Sequence, residues 1–127
     1  MAEKILVVDD TPSTLGALAE LLSVAGYDVV TAADFEHAKR ELDQHPPDLL
    51  IVDIRLGPYN GLHLVVRERV AHPDRPVIIT TGFPDPSILA EARKYGAEFL
   101  EKPIRTAELL ALVRTLLDRQ RPGVSGQ

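Results

Sequence analysis

The chain has 127 residues, 45% of them hydrophobic, with 14 Lys and Arg against 19 Asp and Glu and a formal net charge of -5. That length and apolar content suit one compact domain with a sizeable core, and the scattered positive charges lack the clustering a nucleic-acid face needs to neutralise phosphates. Cysteine is absent, which excludes disulfides and thiolate chemistry and fits a reducing compartment.

Ile5-Leu6-Val7-Val8 is an uninterrupted aliphatic run that ends in Asp9 and Asp10. It is too short for a signal-peptide core or a membrane span and reads as a buried strand, so the expectation is a cytoplasmic protein without membrane contact. Thr11 is placed to cap a helix with Pro12 in its first turn. That helix is expected to run to a Gly26 stop, with Leu15, Leu18, Ala19, Leu22 and Ala25 facing inward. The β-rich stretch from Tyr27 to Ala32 reads as the next strand, near a sheet edge because its pattern alternates more. Asp34 offers an N-cap for a helix carrying Phe35, Ala38 and Leu42, which His45-Pro46-Pro47 ends because proline disfavours helical geometry in the residue before it.

Leu49-Leu50-Ile51-Val52 then runs straight into Asp53, the pattern of a strand covered on both faces. Gly57, Pro58, Asn60 and Gly61 mark a loop, after which a helix carrying Leu62, Leu64, Val65, Glu68 and Val70 ends before Pro73, with Arg67 and Arg69 on its wetter side. Pro76 to Gly82 is the fourth strand, and Thr81 lies near its tip. Asp85 caps a short helix with Ile88, Leu89, Ala92 and Tyr95 that stops at Gly96. Phe99-Leu100-Glu101 is a short last strand leading into Lys102-Pro103. A final helix from about Thr106 has Leu109, Leu110, Leu112, Val113, Leu116 and Leu117 as a broad apolar face. Residues 1–119 are expected to form one domain, and residues 120–127 have linker composition. Strand and helix alternate five times, which predicts a parallel sheet with helices on both faces and right-handed crossovers.

Parallel strands place their C-terminal tips on one edge, and open α/β sheets put their sites there. That edge collects Asp9, Asp10, Asp53, Thr81 and Lys102. Three carboxylates repel one another unless a cation shares them, and an oxygen-only ligand set suits Mg²⁺. A carboxylate beside such a cation can attack phosphorus and become an acyl phosphate, while an ammonium and a hydroxyl neutralise or hydrogen-bond the phosphoryl oxygens. Taken singly, each residue has a plainer role as a polar turn, a cap, a strand hydroxyl or a surface charge. Their joint placement at strand tips favours a phosphorylation site.

This set resembles the receiver domain of two-component response regulators, over residues 4–119. The resemblance implies a flavodoxin-like (CheY-like) five-stranded α/β fold with strand order 2-1-3-4-5. It implies that Asp53 is the phosphoacceptor and that Mg²⁺ is held by Asp9, Asp10 and Asp53 with the backbone carbonyl of Arg55. By the same resemblance Thr81 and Lys102 act on the phosphoryl group, Thr81 and Phe99 form a switch, and the Lys102-Pro103 bond is cis. The implied function is phosphorelay signalling and not turnover of a substrate. The phosphoryl donor is a sensor histidine kinase or a histidine phosphotransfer protein docking near Pro12, Ser13 and Pro103. The output surface for a downstream target or a homodimer is the face of the fourth helix, fifth strand and fifth helix, roughly Ser87 to Tyr95 and Thr106 to Leu117.

The chain departs from the family pattern at several places. Gly57, Pro58 and Tyr59 replace the family's proline-any-methionine run before Gly61, and the switch position is Phe99, without a hydroxyl. Arg55 and Phe83 stand at the two places that, by resemblance, flank the phosphoryl group, and they are expected to shield it and lengthen its lifetime. Two other readings stay open: a Mg²⁺-dependent aspartyl phosphatase, which would want a second aspartate where Arg55 stands, and a binding module that works without phosphorylation.

Overall fold

In the computed structural model, which describes residues 2–56 and 59–120, five short β-prone runs form one parallel sheet. They are β1 (Lys4–Val8), β2 (Asp28–Ala32), β3 (Leu49–Asp53), β4 (Val77–Thr81) and β5 (Glu98–Glu101). Leu6 pairs with Val30 on one side and Leu50 on the other, Ile51 pairs with Ile78, and Ile79 with Phe99. The order is therefore β2-β1-β3-β4-β5, as the family resemblance implies, and the more polar β2 is at an edge. Five helices connect the strands: α1 (Pro12–Val24), α2 (Phe35–Gln44), α3 (Leu62–Ala71), α4 (Pro86–Lys94) and α5 (Thr106–Gln120).

Successive strand residues point to opposite faces, and this alternation divides the core in two. Leu6, Val8, Leu50, Val52, Val77 and Ile79 meet Ala38 and Leu42 of α2, Leu64 and Val65 of α3 and Ala92 of α4. On the opposite face, Ile5, Val7, Leu49, Ile51, Ile78 and Leu100 meet Leu18 and Leu22 of α1 and Leu109 and Val113 of α5. Every residue of β3 and β4 is buried. At about 1.5–3 kcal/mol for each fully buried large aliphatic side chain, these central strands anchor the sheet.

Local capping follows the sequence at two helices and departs from it at one. Asp34 accepts a hydrogen bond from the His37 amide at 2.7 Å and Asp85 from the Ser87 amide at 2.8 Å. Thr11 makes no side-chain cap to α1; its own amide donates to Asp9 Oδ1 at 2.8 Å. Gly26 and Gly96, with φ of 102° and 74°, take the left-handed conformation that ends α1 and α4. Ala25, expected to face inward, is exposed. Val70, expected on the packed side of α3, is 77% exposed, because it lies on the helix face opposite the buried Leu64, Val65 and Glu68.

The stretch after Asp53 is more regular than a loop. Arg55–Leu56 and Tyr59–Asn60 pair as a small antiparallel ribbon, with Arg55 opposite Asn60. Gly57, Pro58 and the expected linker, from residue 121 on, lie outside the described residues; residue 120 itself still belongs to α5. Among the described residues no helix is long and apolar enough to cross a membrane.

Candidate functional site

Backbone pairing continues one residue past the strand ends, and this sets the site. The Asp9 amide donates to the Ala32 carbonyl at 3.1 Å, the Ile54 amide to Thr80 at 3.0 Å, and the Lys102 amide to Thr81 at 2.8 Å. Counting the alternation along each strand places Asp9, Asp53 and Lys102 on the α1/α5 side. Thr81 and Phe99 fall on the side of α2, α3 and α4. The charged residues and the two residues of the expected switch are thus separated by the pleat.

Lys102 Nζ donates to Asp9 Oδ2 at 3.0 Å and to Asp53 Oδ2 at 2.8 Å. Asp9 and Asp53 are buried while Asp10 is exposed. Burial by itself would lower the Lys102 pKa, but hydrogen bonds to Asp53 and Asp9, reinforced by their charges, hold it above the usual lysine range. The other oxygen of Asp53, Oδ1, accepts from the Arg55 amide at 3.1 Å. One carboxylate is therefore oriented from two directions.

Oxygens of Asp9, Asp10 and Asp53 lie within 4.8 Å of one another, and the described residues hold no other acidic or histidine group that could share a metal ion. All the donors are hard carboxylate oxygens, and two of the three come from buried residues whose charge already recruits the Lys102 ammonium. This chemistry fits a small divalent cation such as Mg²⁺. It would not suit a soft metal that prefers sulfur or imidazole.

Gly61 shapes the floor beneath Asp53. A Cβ on Gly61 would lie 2.2 Å from the Asp53 carbonyl oxygen and 3.1 Å from a Val52 methyl, and the Gly61 amide donates to Ile54 O at 2.7 Å. Only a residue without a side chain allows this approach. Asn60 Oδ1 accepts from the Leu62 amide at 2.8 Å and starts α3 beside it. The sequence showed Gly61 as a turn residue; its packing against Asp53 depends on how the ribbon folds back.

Thr81 is buried, and its Oγ1 accepts from the Phe83 amide at 3.1 Å. Phe83 is 70% exposed, and the Arg55 guanidinium lies 4.7 Å from its ring centroid. Phe99, half-buried against the core, has the Arg93 guanidinium 5.9 Å from its ring. Sequence reasoning did not single out Arg93, because nothing local marks a solvent-facing α4 arginine as a neighbour of β5. The Lys102-Pro103 bond is cis, as the family resemblance implies. Beside Lys102 an open groove is lined by Ser13, Thr14, Ala17, Leu18, Pro103 and Ile104.

Comparison with known proteins agrees with this geometry. The response regulator receiver domain family matches residues 5–114. The chain is 36% identical over 118 residues to a probable transcriptional regulator, ycf27, of Porphyridium aerugineum, covering 92% of this chain and 49% of that protein. It is 34% identical over 124 residues to the nitrogen assimilation regulatory protein NtrX of Azorhizobium caulinodans, covering 95% of this chain and 27% of the relative. The chain thus spans half or less of the length of these two relatives. Among solved structures, a CheY-like receiver domain protein from Methanospirillum hungatei superposes with a TM-score of 0.91 at 26% identity, over 94% of this chain and 97% of the other. The receiver domain of NtrX from Brucella abortus superposes with a TM-score of 0.82 at 31% identity, over 89% and 97% of the two chains. With its fold, its strand-tip residues and the match over residues 5–114 in agreement, the chain belongs to the response regulator receiver domain family of two-component signalling.

Proposed function

We propose that this domain accepts a phosphoryl group on Asp53 from a phosphohistidine of a sensor kinase or phosphotransfer protein. The observation that carries the reading is the Lys102 ammonium, within 3.0 Å of both Asp9 and Asp53. It places a fixed positive charge beside a nucleophile whose other oxygen is already oriented by the Arg55 amide.

In the transfer an Asp53 oxygen attacks phosphorus, a new O–P bond forms, and the P–N bond to the donor imidazole breaks, its electron pair leaving with the ring nitrogen. Lys102 pairs with a phosphoryl oxygen in place of Asp53 Oδ2, so its positive charge offsets part of the negative charge that the phosphoryl group brings. Thr81 turns its hydroxyl toward a second phosphoryl oxygen. Asp9, Asp10 and Asp53, with the Arg55 carbonyl, are the residues that would hold Mg²⁺, whose chemistry when bound is to neutralise phosphoryl charge. The groove between Ser13, Ala17 and Ile104 suits the donor's docking side, since it opens beside Lys102.

Output is assigned to the α4-β5-α5 face, for a downstream target or a second copy. Phe99 belongs to β5 and lies under Arg93 of α4, so an inward turn of its ring would change that face directly. The underlying step is a shift between two pre-existing arrangements.

The test is intact mass after incubation with Mg²⁺ and a small acyl-phosphate donor. A phosphoryl adduct that requires Mg²⁺ and is missing in Asp53→Asn is expected. No adduct, together with no binding of beryllofluoride, would overturn the assignment and favour a module that works without phosphorylation.

A further inference from the structure

Three contacts join the loop after Asp53 to the loop after Thr81. The Arg55 amide is held by Asp53 Oδ1 at 3.1 Å, the Arg55 guanidinium lies over the Phe83 ring at 4.7 Å, and the Phe83 amide donates to Thr81 Oγ1 at 3.1 Å. Phe83 is 70% exposed and owes little of its placement to the core. Its ring is held by the arginine, and its amide in turn holds the threonine.

We propose that the Arg55–Phe83 stack is a latch that holds Thr81 in its resting position and so sets how readily the site switches. The inference rests on the phosphoacceptor reading of Asp53. If Thr81 rotates toward a group carried by Asp53, Oγ1 leaves the Phe83 amide, which then needs another acceptor or water. With the ring pinned under Arg55, the Phe83 backbone is held from following the hydroxyl, and the hydrogen bond is lost before the amide can turn to water. When the stack is broken, the Phe83 segment relaxes to water and Thr81 is freed. Arg55 is thus a positioning residue that acts on Thr81 through Phe83.

The latch has an outcome opposite in sign to a merely structural contact. Breaking a contact that only supports the site would loosen it and weaken binding of a phosphoryl mimic. Breaking a latch removes a restraint on the active arrangement, so the mimic binds more tightly. A cation–π pair at an exposed site corresponds to a change of about two- to fivefold in an equilibrium constant.

The experiment compares wild type with Arg55→Gln, Phe83→Leu, the double variant and Phe83→Trp. All of these keep the Arg55 carbonyl and the Phe83 amide. Two quantities are read: hydrogen exchange of the Phe83 amide by NMR without ligand, and affinity for beryllofluoride in the presence of Mg²⁺. Each single loss is expected to speed Phe83 exchange and to tighten beryllofluoride binding by about two- to fivefold. The double variant should go no further than the larger single effect, because both residues act through one contact, and Phe83→Trp should behave as wild type. Unchanged exchange, weaker binding in the single variants, or additive effects in the double would each overturn the latch. A wild type that binds no beryllofluoride and forms no phosphoryl adduct would overturn the phosphoacceptor reading and the latch with it, whereas a wild type that binds the mimic with variants that bind it no more tightly would overturn the latch alone.

Discussion

Lys102 Nζ lies 2.8 Å from Asp53 Oδ2, although 49 residues separate the two in sequence. The same ammonium reaches Asp9 Oδ2 at 3.0 Å, across 93 residues. One side chain just past the edge strand β5 therefore reaches across the tip of β4 to the acids at the ends of β3 and β1, and places its positive charge between them.

Replacing Lys102 with Met leaves two buried carboxylates uncompensated. The expected loss is about 1–3 kcal/mol of stability in metal-free buffer, measured by urea denaturation, with Mg²⁺ restoring more stability to Lys102→Met than it adds to wild type. A variant as stable as wild type without metal would show that the bridge contributes nothing.

The pH dependence follows from the raised pKa of Lys102. Its folded-state pKa lies above the unfolded one, so its stabilisation is complete below the ordinary lysine range and is lost as pH climbs through the raised value. Wild type should therefore lose stability relative to Lys102→Met over that alkaline interval, with other groups cancelling in the comparison. Parallel pH profiles for the two proteins would contradict this.

Gly61→Ala places a methyl group 2.2 Å from the Asp53 carbonyl oxygen. The ribbon must move away from β3 to admit it, at an expected cost of about 1–3 kcal/mol. Because the displaced ribbon carries Arg55, whose amide orients Asp53 Oδ1, the rate of adduct formation should fall as well, even at temperatures where the variant is fully folded. Denaturant titration and timed intact mass check the two effects separately.

The exposed pair above the site bears on phosphoryl lifetime. In the Arg55→Asn, Phe83→Glu double variant, the stack is replaced by small or hydrated side chains, and water gains access to the acyl phosphate. Hydrolysis after removal of the donor should be severalfold faster than in wild type. An equal or slower decay would mean that the pair does not shield the group.

Glu68 is a control remote from the chemistry. It is 2% exposed on α3, with Arg75 hydrogen-bonded to one carboxylate oxygen and Arg67 3.8 Å from the other. Glu68→Ala leaves the largely buried Arg75 cation without its partner, at an expected cost of about 3 kcal/mol. The extent of Asp53 phosphorylation in the folded protein should not change. Thermal denaturation and intact mass together check both halves.

Much of this organisation was legible in the residues because its causes are short-range. Leu49 to Val52 are apolar at every position, so a strand covered on both faces follows without knowing its neighbours. Asp34 and Asp85 satisfy helix amides within three residues, and Gly26 and Gly96 end helices by a local backbone freedom. Thr11 makes no side-chain cap, although its residue type and its place before Pro12 mark it as one. The strand-tip positions of Asp9, Asp53, Thr81 and Lys102 likewise follow from where each apolar run stops.

The sequence by itself thus determined the kinds of element, their order and the edge on which the acids gather. Only the tertiary structure decided which side chains meet there. The pairing of Lys102 with Asp9 and Asp53, the stacking of Arg55 on Phe83, and the fit of Gly61 against Asp53 all join separate parts of the chain. The physical reason is that periodicity and capping act over one or two turns of chain. Contacts across a sheet depend instead on strand order, register and side-chain direction, which exist only once the chain has folded.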